Sequence, residues 1–345
     1  MDINLLLEEK RFVYDPNQFA GESMDNYHFI VIGAGGTGGY LIPNLGRMIG
    51  IQNEDGSKHS VTIVDADKIE NKNLLRQNFS PNDVGKNKAE VMASRYGRAF
   101  GQTFYYLPEY IESAEQVLKI MESESKVPVI IDCVDNNKTR FIIKEGINLY
   151  HQSGRGKNTI SLSSGNEKYS GQVVFSYRIT NALKRHYKYE EKSPDLIDIF
   201  PNMEVDRLPT EISCAEQSIS APQNIHTNMT AADILFGFVN RLLTNREVDT
   251  LAYFFDSQTM MRNSYSGRPT HVKQLLKLVD KNANYAEYFN DYGPFDGSEI
   301  LAPTYDDVLK MVEEEDELIE VSVESIKKDN SDIFEQSITS GRIPF

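Results

Sequence analysis

The chemistry in this chain starts at Gly33-Ala34-Gly35-Gly36-Thr37-Gly38-Gly39, which follows the apolar run His28-Phe29-Ile30-Val31-Ile32 and opens a helical pattern. Such a turn lets the backbone approach a phosphate, while helix-end amides and the helix dipole attract its charge. Gly33, Gly35 and Gly38 supply the spacing. Asp65 ends a second apolar run, the place where an acid meets a ribose hydroxyl in folds of this kind. These residues point to a nucleotide or dinucleotide. Downstream lie Asp65-Ala66-Asp67, then Asn71 to Phe79 and Asp83 to Ala89. Hydride transfer needs no second cationic cluster there, whereas displacing pyrophosphate needs positive charge on the departing phosphates. Arg76 and Lys88 can supply it, and Asp135, just past a strand end, could hold a magnesium ion on the same phosphates. The plainer alternatives are a surface ion pair for Arg76, a solvated helix start for Lys88, and a turn or helix cap for Asp135 with Asn136.

The elements that must carry these residues can be read from periodicity. Strands are expected at His28–Ile32, Val61–Asp65, Phe104–Leu107 and Val129–Asp132, with helices after the glycine turn and over Lys88–Phe100. Pro43 is expected to kink or loosen the first helix, and the polar stretch from Gln52 to Ser60 reads as a loop. Alternating strands and helices indicate an α/β, doubly wound, Rossmann-like and mainly parallel sheet. Thr159–Leu162 and Gln172–Phe175 around Gly165-Asn166 suggest antiparallel additions. Lys184 to Thr210 reads as an ordered crossing loop punctuated by prolines. Asn228–Leu243 has helical spacing, and Leu251–Phe255 with Met260–Ser264 reads as a hairpin.

The expected organisation is an N-terminal segment (1–27), a nucleotide-binding domain (28–265) containing the crossing loop (184–227), and an acidic C-terminal extension (266–345). In that extension Tyr285, Tyr288, Phe289, Tyr292 and Phe295 cluster, Val308, Met311, Val312 and Ile319 have amphipathic helical spacing, and residues 313–317 form an acidic run. The 345 residues carry 36 Lys+Arg against 51 Asp+Glu, a formal charge of −15. That balance disfavours nucleic acid and favours a partner with a basic face. With 40% hydrophobic and 25% charged residues the composition is that of a globular chain able to bury a core. No signal-peptide pattern and no run of about 18 apolar residues is present, so no membrane is expected, and two cysteines fit a reducing cytoplasm.

The ordered motifs from Phe29 to Asn137 resemble the ThiF/MoeB superfamily, adenylating enzymes related to ubiquitin-activating enzymes. The resemblance implies ATP binding by Gly33, Gly35, Gly36 and Gly38 and ribose contact by Asp65, with Asp67 beside it. It implies phosphate contacts by Asn73, Arg76 and Lys88, and magnesium on Asp135. Family dimers supply an N-terminal arginine to the partner's ATP, for which Arg11 is the candidate in an expected homodimer. Phe79-Ser80-Pro81-Asn82-Asp83-Val84-Gly85, Ser193 to Pro201 and Ser213-Cys214-Ala215-Glu216-Gln217 further resemble the ThiF-like proteins of PRTRC systems. Those systems carry a small ubiquitin-like β-grasp modifier, a conjugating-enzyme-like protein and a metalloprotease-like protein.

The implied activity is adenylation of the modifier's C-terminal carboxylate. Cys214 is the candidate thioester nucleophile in a second step, with a loop or packing cysteine as its alternative; Cys133, beside a buried strand, reads as structural. Two cysteines cannot rebuild the paired CxxC zinc motif common in this superfamily, and the six histidines show no ligand spacing, so no structural zinc is expected. The competing readings are an NAD-dependent oxidoreductase and a non-catalytic nucleotide-binding scaffold.

Overall fold

A computed structural model describes residues 11–16, 26–153, 158–180, 190–203, 205–206, 208, 224–244 and 246–277. Cys214 and the aromatic, amphipathic and acidic features expected beyond residue 277 lie outside the described residues.

The described residues build one eight-stranded sheet. Its strands are β1 (Tyr27–Ile32), β2 (Ser60–Val64), β3 (Phe104–Leu107), β4 (Val127–Asp132), β5 (Thr159–Asn166), β6 (Ser170–Arg178), β7 (Thr250–Asp256) and β8 (Met261–Ser266). The spatial order is β3-β2-β1-β4-β5-β6-β7-β8. The first five strands are parallel, and β5 through β8 pair antiparallel. β1 and β4 are buried along their whole length, as expected of central parallel strands with helices on both faces.

The helices are α1 (Gly36–Glu54), α2 (Lys88–Phe100), α3 (Ala114–Glu122), α4 (Asn137–Gln152), α5 (Leu196–Ile199), α6 (Ile225–Leu243) and α7 (Pro269–Lys277). α1 packs against α2 and α6, and α3 against α4. On the α3–α4 side, Ile32, Val64, Val117, Ile130 and Ile143 share one apolar cluster. The direction of winding reverses between β1 and β4, so a crevice opens beyond their carboxyl ends, where open α/β sheets bind ligands.

α1 keeps its helical run at Pro43, and the loop expected from Gln52 is corrected. Proline removes the amide that would serve the Gly39 carbonyl, and the Asn78 side chain replaces it, donating Nδ2–H to Gly39 O at 3.1 Å. Gln52 to Glu54 belong to the last turn of α1 rather than to a loop, and buried Ser60 begins β2. The crossing segment contains the one-turn α5, capped at Asp195, whose side chain accepts from the Asp198 amide. Lys144 on α4 grips both of these carboxylates.

Candidate functional site

The crevice holds a cleft of about 320 Å³ walled by the glycine turn, by the segment after β2 and by the loop after β4. Gly33 has φ +94°, a region that side chains disfavour, and its amide donates to Val64 O at 2.9 Å. A Cβ on Gly33 would also press on the Cys133 carbonyl at 2.8 Å. Gly38 faces away from the cleft, and a Cβ there would overlap the Gly33 carbonyl oxygen, so it serves close packing of the turn on its helix. At the start of α1 neither a capping side chain nor an acid occupies the first turn. Its free amides therefore face the cleft as an anion seat.

Acids and a buried cation line the opposite wall. Asp65 accepts from the Ala34 amide at 2.7 Å and the Asp67 amide at 2.9 Å, tying the end of β2 to the glycine turn. Burial pushes the Asp65 carboxyl up, opposed by the nearby Lys88 charge. Lys88 is itself buried, and its Nζ lies 2.8 Å from Asp67 Oδ2. Burial works against its charge, yet Asp65, Asp67 and Asp135 together raise its pKa, so it stays an ammonium. Burial would likewise raise Asp67, but the charge and hydrogen bond of Lys88, with a hydrogen bond from Tyr110, hold its carboxyl below the usual range. Asn87 anchors this wall: its amide donates to Asp65 O (2.8 Å) and Asp67 O (3.2 Å), while its Oδ1 caps α2.

The third wall is the turn carrying Asp135. Buried Asp132, the last residue of β4, accepts from Arg140 Nε (3.1 Å), Ser163 Oγ (2.6 Å) and the Val134 amide (3.1 Å). Arg140 also donates to the Val134 and Ser164 carbonyls and to Asn137 Oδ1. One satisfied buried ion pair thus fixes the Asp135 turn between β4, β5 and α4. Asn136 caps α4, and Asp206 from the crossing segment accepts from the Asn137 and Lys138 amides.

Of the residues singled out from sequence, Gly33, Gly35, Gly36, Asp65, Asp67, Arg76, Lys88 and Asp135 line this one cleft. The guanidinium of Arg76 has no ion pair among the described residues. Asn73 does not line it. Its side chain accepts the Glu70 amide (2.8 Å) and its carbonyl accepts the Arg76 (3.1 Å) and Gln77 (2.8 Å) amides, so it folds the loop presenting them. Arg11 is exposed, and its carbonyl accepts the Glu190 amide away from the cleft walls. Burial, reinforced by Asp132, raises the Cys133 thiol well above its usual range, leaving it without thiolate character. Gln77, Tyr110, Asn136, Thr139 and Asn166 also line the cleft but were not expected to. Gln77, Asn136 and Asn166 had a signal beside them, in Arg76, Asp135 and Gly165; Tyr110 and Thr139 did not.

The arrangement suits a nucleoside triphosphate. Gly35 leaves open space where a Cβ would stand, limited by Gln77 at 3.5 Å, and Gln77 Oε1 is buried with no hydrogen-bond partner among the described residues. Two cations, open helix amides and a carboxylate beyond β4 complete a phosphate environment. Among the described residues no group of three His, Cys, Asp or Glu could hold a metal by itself. A magnesium ion, which takes one or two carboxylates and keeps phosphate and water ligands, fits Asp135. No described helix is long and apolar enough to cross a membrane.

Comparison with known proteins matches residues 18–235 to the ThiF family model. Over 84 residues the chain is 40% identical to the NEDD8-activating enzyme E1 catalytic subunit of Caenorhabditis elegans, covering 24% of this chain and 17% of that relative. Among solved structures, E. coli MccB with ATP aligns over 71% of this chain and 64% of its own, at 15% identity and a TM-score of 0.48. PaaA aligns over 70% and 64% respectively, at 14% identity and 0.45. The chain thus spans about a sixth of the curated relative it matches and just under two thirds of those two structures.

Proposed function

Since the chain belongs to the ThiF family, we propose that it activates a carboxylate by adenylation with ATP. The observation that carries this reading is one cleft joining an uncapped glycine turn to Arg76, the buried Lys88 and Asp135. A carboxylate oxygen attacks the α-phosphorus, the bond to the bridging oxygen breaks, and pyrophosphate leaves with the electron pair. The acceptor is already ionised at neutral pH, so no general base is needed. The amides at the start of α1 hold the phosphates, and Arg76 and Lys88 offset the charge that develops on the leaving group. Asp65 is the ribose contact, with Asp67 setting the position of Lys88. Asp135 would hold a magnesium ion, which supplies further charge neutralisation on the phosphates.

The acceptor we propose is the C-terminus of a small ubiquitin-like β-grasp protein; local identity to a NEDD8-activating subunit supports that class. Further steps in the same reading are thioester transfer to Cys214, hand-off to a conjugating-enzyme-like protein, and a cytoplasmic homodimer in which Arg11 reaches the partner's ATP. The sequence resemblance to PRTRC systems supports this set of partners.

Exchange of labelled pyrophosphate into ATP, driven by a small β-grasp protein ending in glycine, tests the first step. Exchange should appear in the wild-type chain and fall at least about a hundredfold in Arg76→Ala, the loss typical when one stabilising donor is removed. Exchange that ignores Arg76→Ala, or nucleotide binding confined to NAD, removes the reading.

A further inference from the structure

Asn228 is almost fully buried near the start of α6, and its position is fixed from both sides. Its neighbour Thr227 bonds the Lys168 carbonyl (3.0 Å) and Ser257 Oγ (2.7 Å), locking the first turn of α6 onto the ends of β6 and β7. The Asn228 amide nitrogen lies against the first turn of α1, where a Cβ on Gly36 would overlap it. On the other side Asn166, the last residue of β5 and paired with Gly171 in the ladder, donates Nδ2–H to Asn228 Oδ1 at 2.5 Å. Gly36 and Asn166 both line the cleft, and Asn228 backs them, its amide nitrogen filling the space that a Gly36 side chain would take.

One hydrogen bond uses only part of what two primary amides offer. Each has two N–H donors and a carbonyl oxygen with two acceptor positions. Among the described residues no other side-chain partner engages either amide, so the pair keeps an acceptor on Asn166 and donors on Asn228. If both amides are rotated end for end, the two residues exchange these roles, and the pair as a whole still offers one acceptor beside donors. A rigid donor beside a rigid acceptor is the complement of one peptide bond.

We propose that Asn166 and Asn228 seat the last peptide bond of the carboxylate substrate, with its carbonyl on the Asn228 amide and its N–H on the Asn166 oxygen. The pair then selects a peptide C-terminus over a free small carboxylic acid and holds it beside the glycine turn. This inference rests on the adenylation reading. The selectivity follows from the remaining hydrogen-bond capacity: an acceptor lacking the peptide bond would leave the spare Asn166 oxygen and Asn228 N–H groups without that partner, which sites built around a polar group reject.

The test uses the full chain and two stable mimics of the nucleotide state, 5′-O-sulfamoyladenosine and its N-glycylglycyl derivative, with affinities from isothermal titration. In the wild-type chain the peptide-bearing compound should bind at least about tenfold tighter. In Asn166→Ala and Asn228→Ala the ratio of the two affinities should fall to near one. Asn228→Ala removes a buried side chain and can weaken folding, so the readout is the ratio of the two affinities within each variant, which the folded fraction does not change, and Asn166→Ala, at the half-buried member, supplies the second variant. A wild-type ratio near one, or a ratio that survives in Asn166→Ala, overturns the proposal while leaving nucleotide binding intact. Failure of plain sulfamoyladenosine to bind overturns the adenylation reading and this inference together.

Discussion

Lys88 Nζ and Asp67 Oδ2 stand 2.8 Å apart across the gap between the segment after β2 and the first turn of α2. The contact places a cation that has left water within reach of three carboxylates, Asp65, Asp67 and Asp135. Both sides gain: the acids keep the ammonium charged, and the ammonium lets acids gather where phosphates must also bind. A second cation, Arg76, enters the same cleft without an acid of its own among the described residues.

That asymmetry separates fold from function in two substitutions. Lys88→Met should destabilise the chain by about 1–2 kcal/mol, because it strands a carboxylate cluster, reduced from the figure for a fully buried pair since Asp67 is partly solvated. Arg76→Ala should leave stability within about 0.5 kcal/mol, as surface changes without partners do. Urea unfolding midpoints at neutral pH decide between them, and equal losses would contradict the pairing described.

The glycines of the turn should divide in the same way. Gly38→Ala puts a Cβ into the Gly33 carbonyl, backbone against backbone, so the chain should lose more than about 3 kcal/mol or fail to fold. Gly35→Ala meets only the Gln77 side chain at 3.5 Å and should cost less than about 1 kcal/mol, while lowering ATP affinity about tenfold or more by filling the phosphate space. Circular dichroism melts beside ATP titrations check both halves.

Arg140→Ala should cost about 3–5 kcal/mol, the penalty for leaving buried Asp132 unpaired. Arg140→Lys should rescue little, since an ammonium cannot match the planar fork that reaches Asp132, Val134, Ser164 and Asn137 together. Faster amide exchange at residues 133–136 in Arg140→Lys, with β1 unaffected, would locate the damage at the Asp135 turn.

Acid should act first at the opposite end of the sheet. His28 is fully buried on β1, with Nε2 against Thr62 Oγ1 and, among the described residues, no partner at Nδ1. Burial lowers its pKa from 6.5 to about 4, with Glu124 opposing and Lys126 assisting. Above pH 6.5 neither folded nor unfolded chain protonates this ring. Between 6.5 and 4 the unfolded chain takes up a proton that the folded one refuses, so stability falls with pH by about 1.4 kcal/mol per pH unit. Its total contribution is roughly 3 kcal/mol, lost as pH falls through that window. Burial lowers His59 to about 4 as well, so urea titrations from pH 7 to 4.5 should show close to twice this slope, and His28→Gln should flatten it by one proton.

Much of the nucleotide wall was legible from local pattern. A short apolar run followed by glycines reads as a buried strand feeding a helix, and Asp65, Arg76 and Lys88 sit at set distances along the chain from that landmark. At Pro43 the group that serves the freed Gly39 carbonyl, Asn78, is 35 residues away and carries no signal of its own. The same holds for α3 and for the Asp132–Arg140 pair, whose meaning depends on which strands are neighbours.

What the sequence determined by itself was the order of the parts: glycine turn, acid, two cations and a carboxylate after the fourth strand, together with the alternation that makes the sheet parallel. Those signals are local, and chain geometry alone places them. Only the tertiary structure decided that Lys88 is buried against Asp67, that Asn73 and Gly38 support the cleft rather than line it, and that Asn166 meets Asn228 over Gly36. Each of these depends on burial and on partners far apart in sequence, quantities fixed when β5 docks beside β4 and α6 packs on α1.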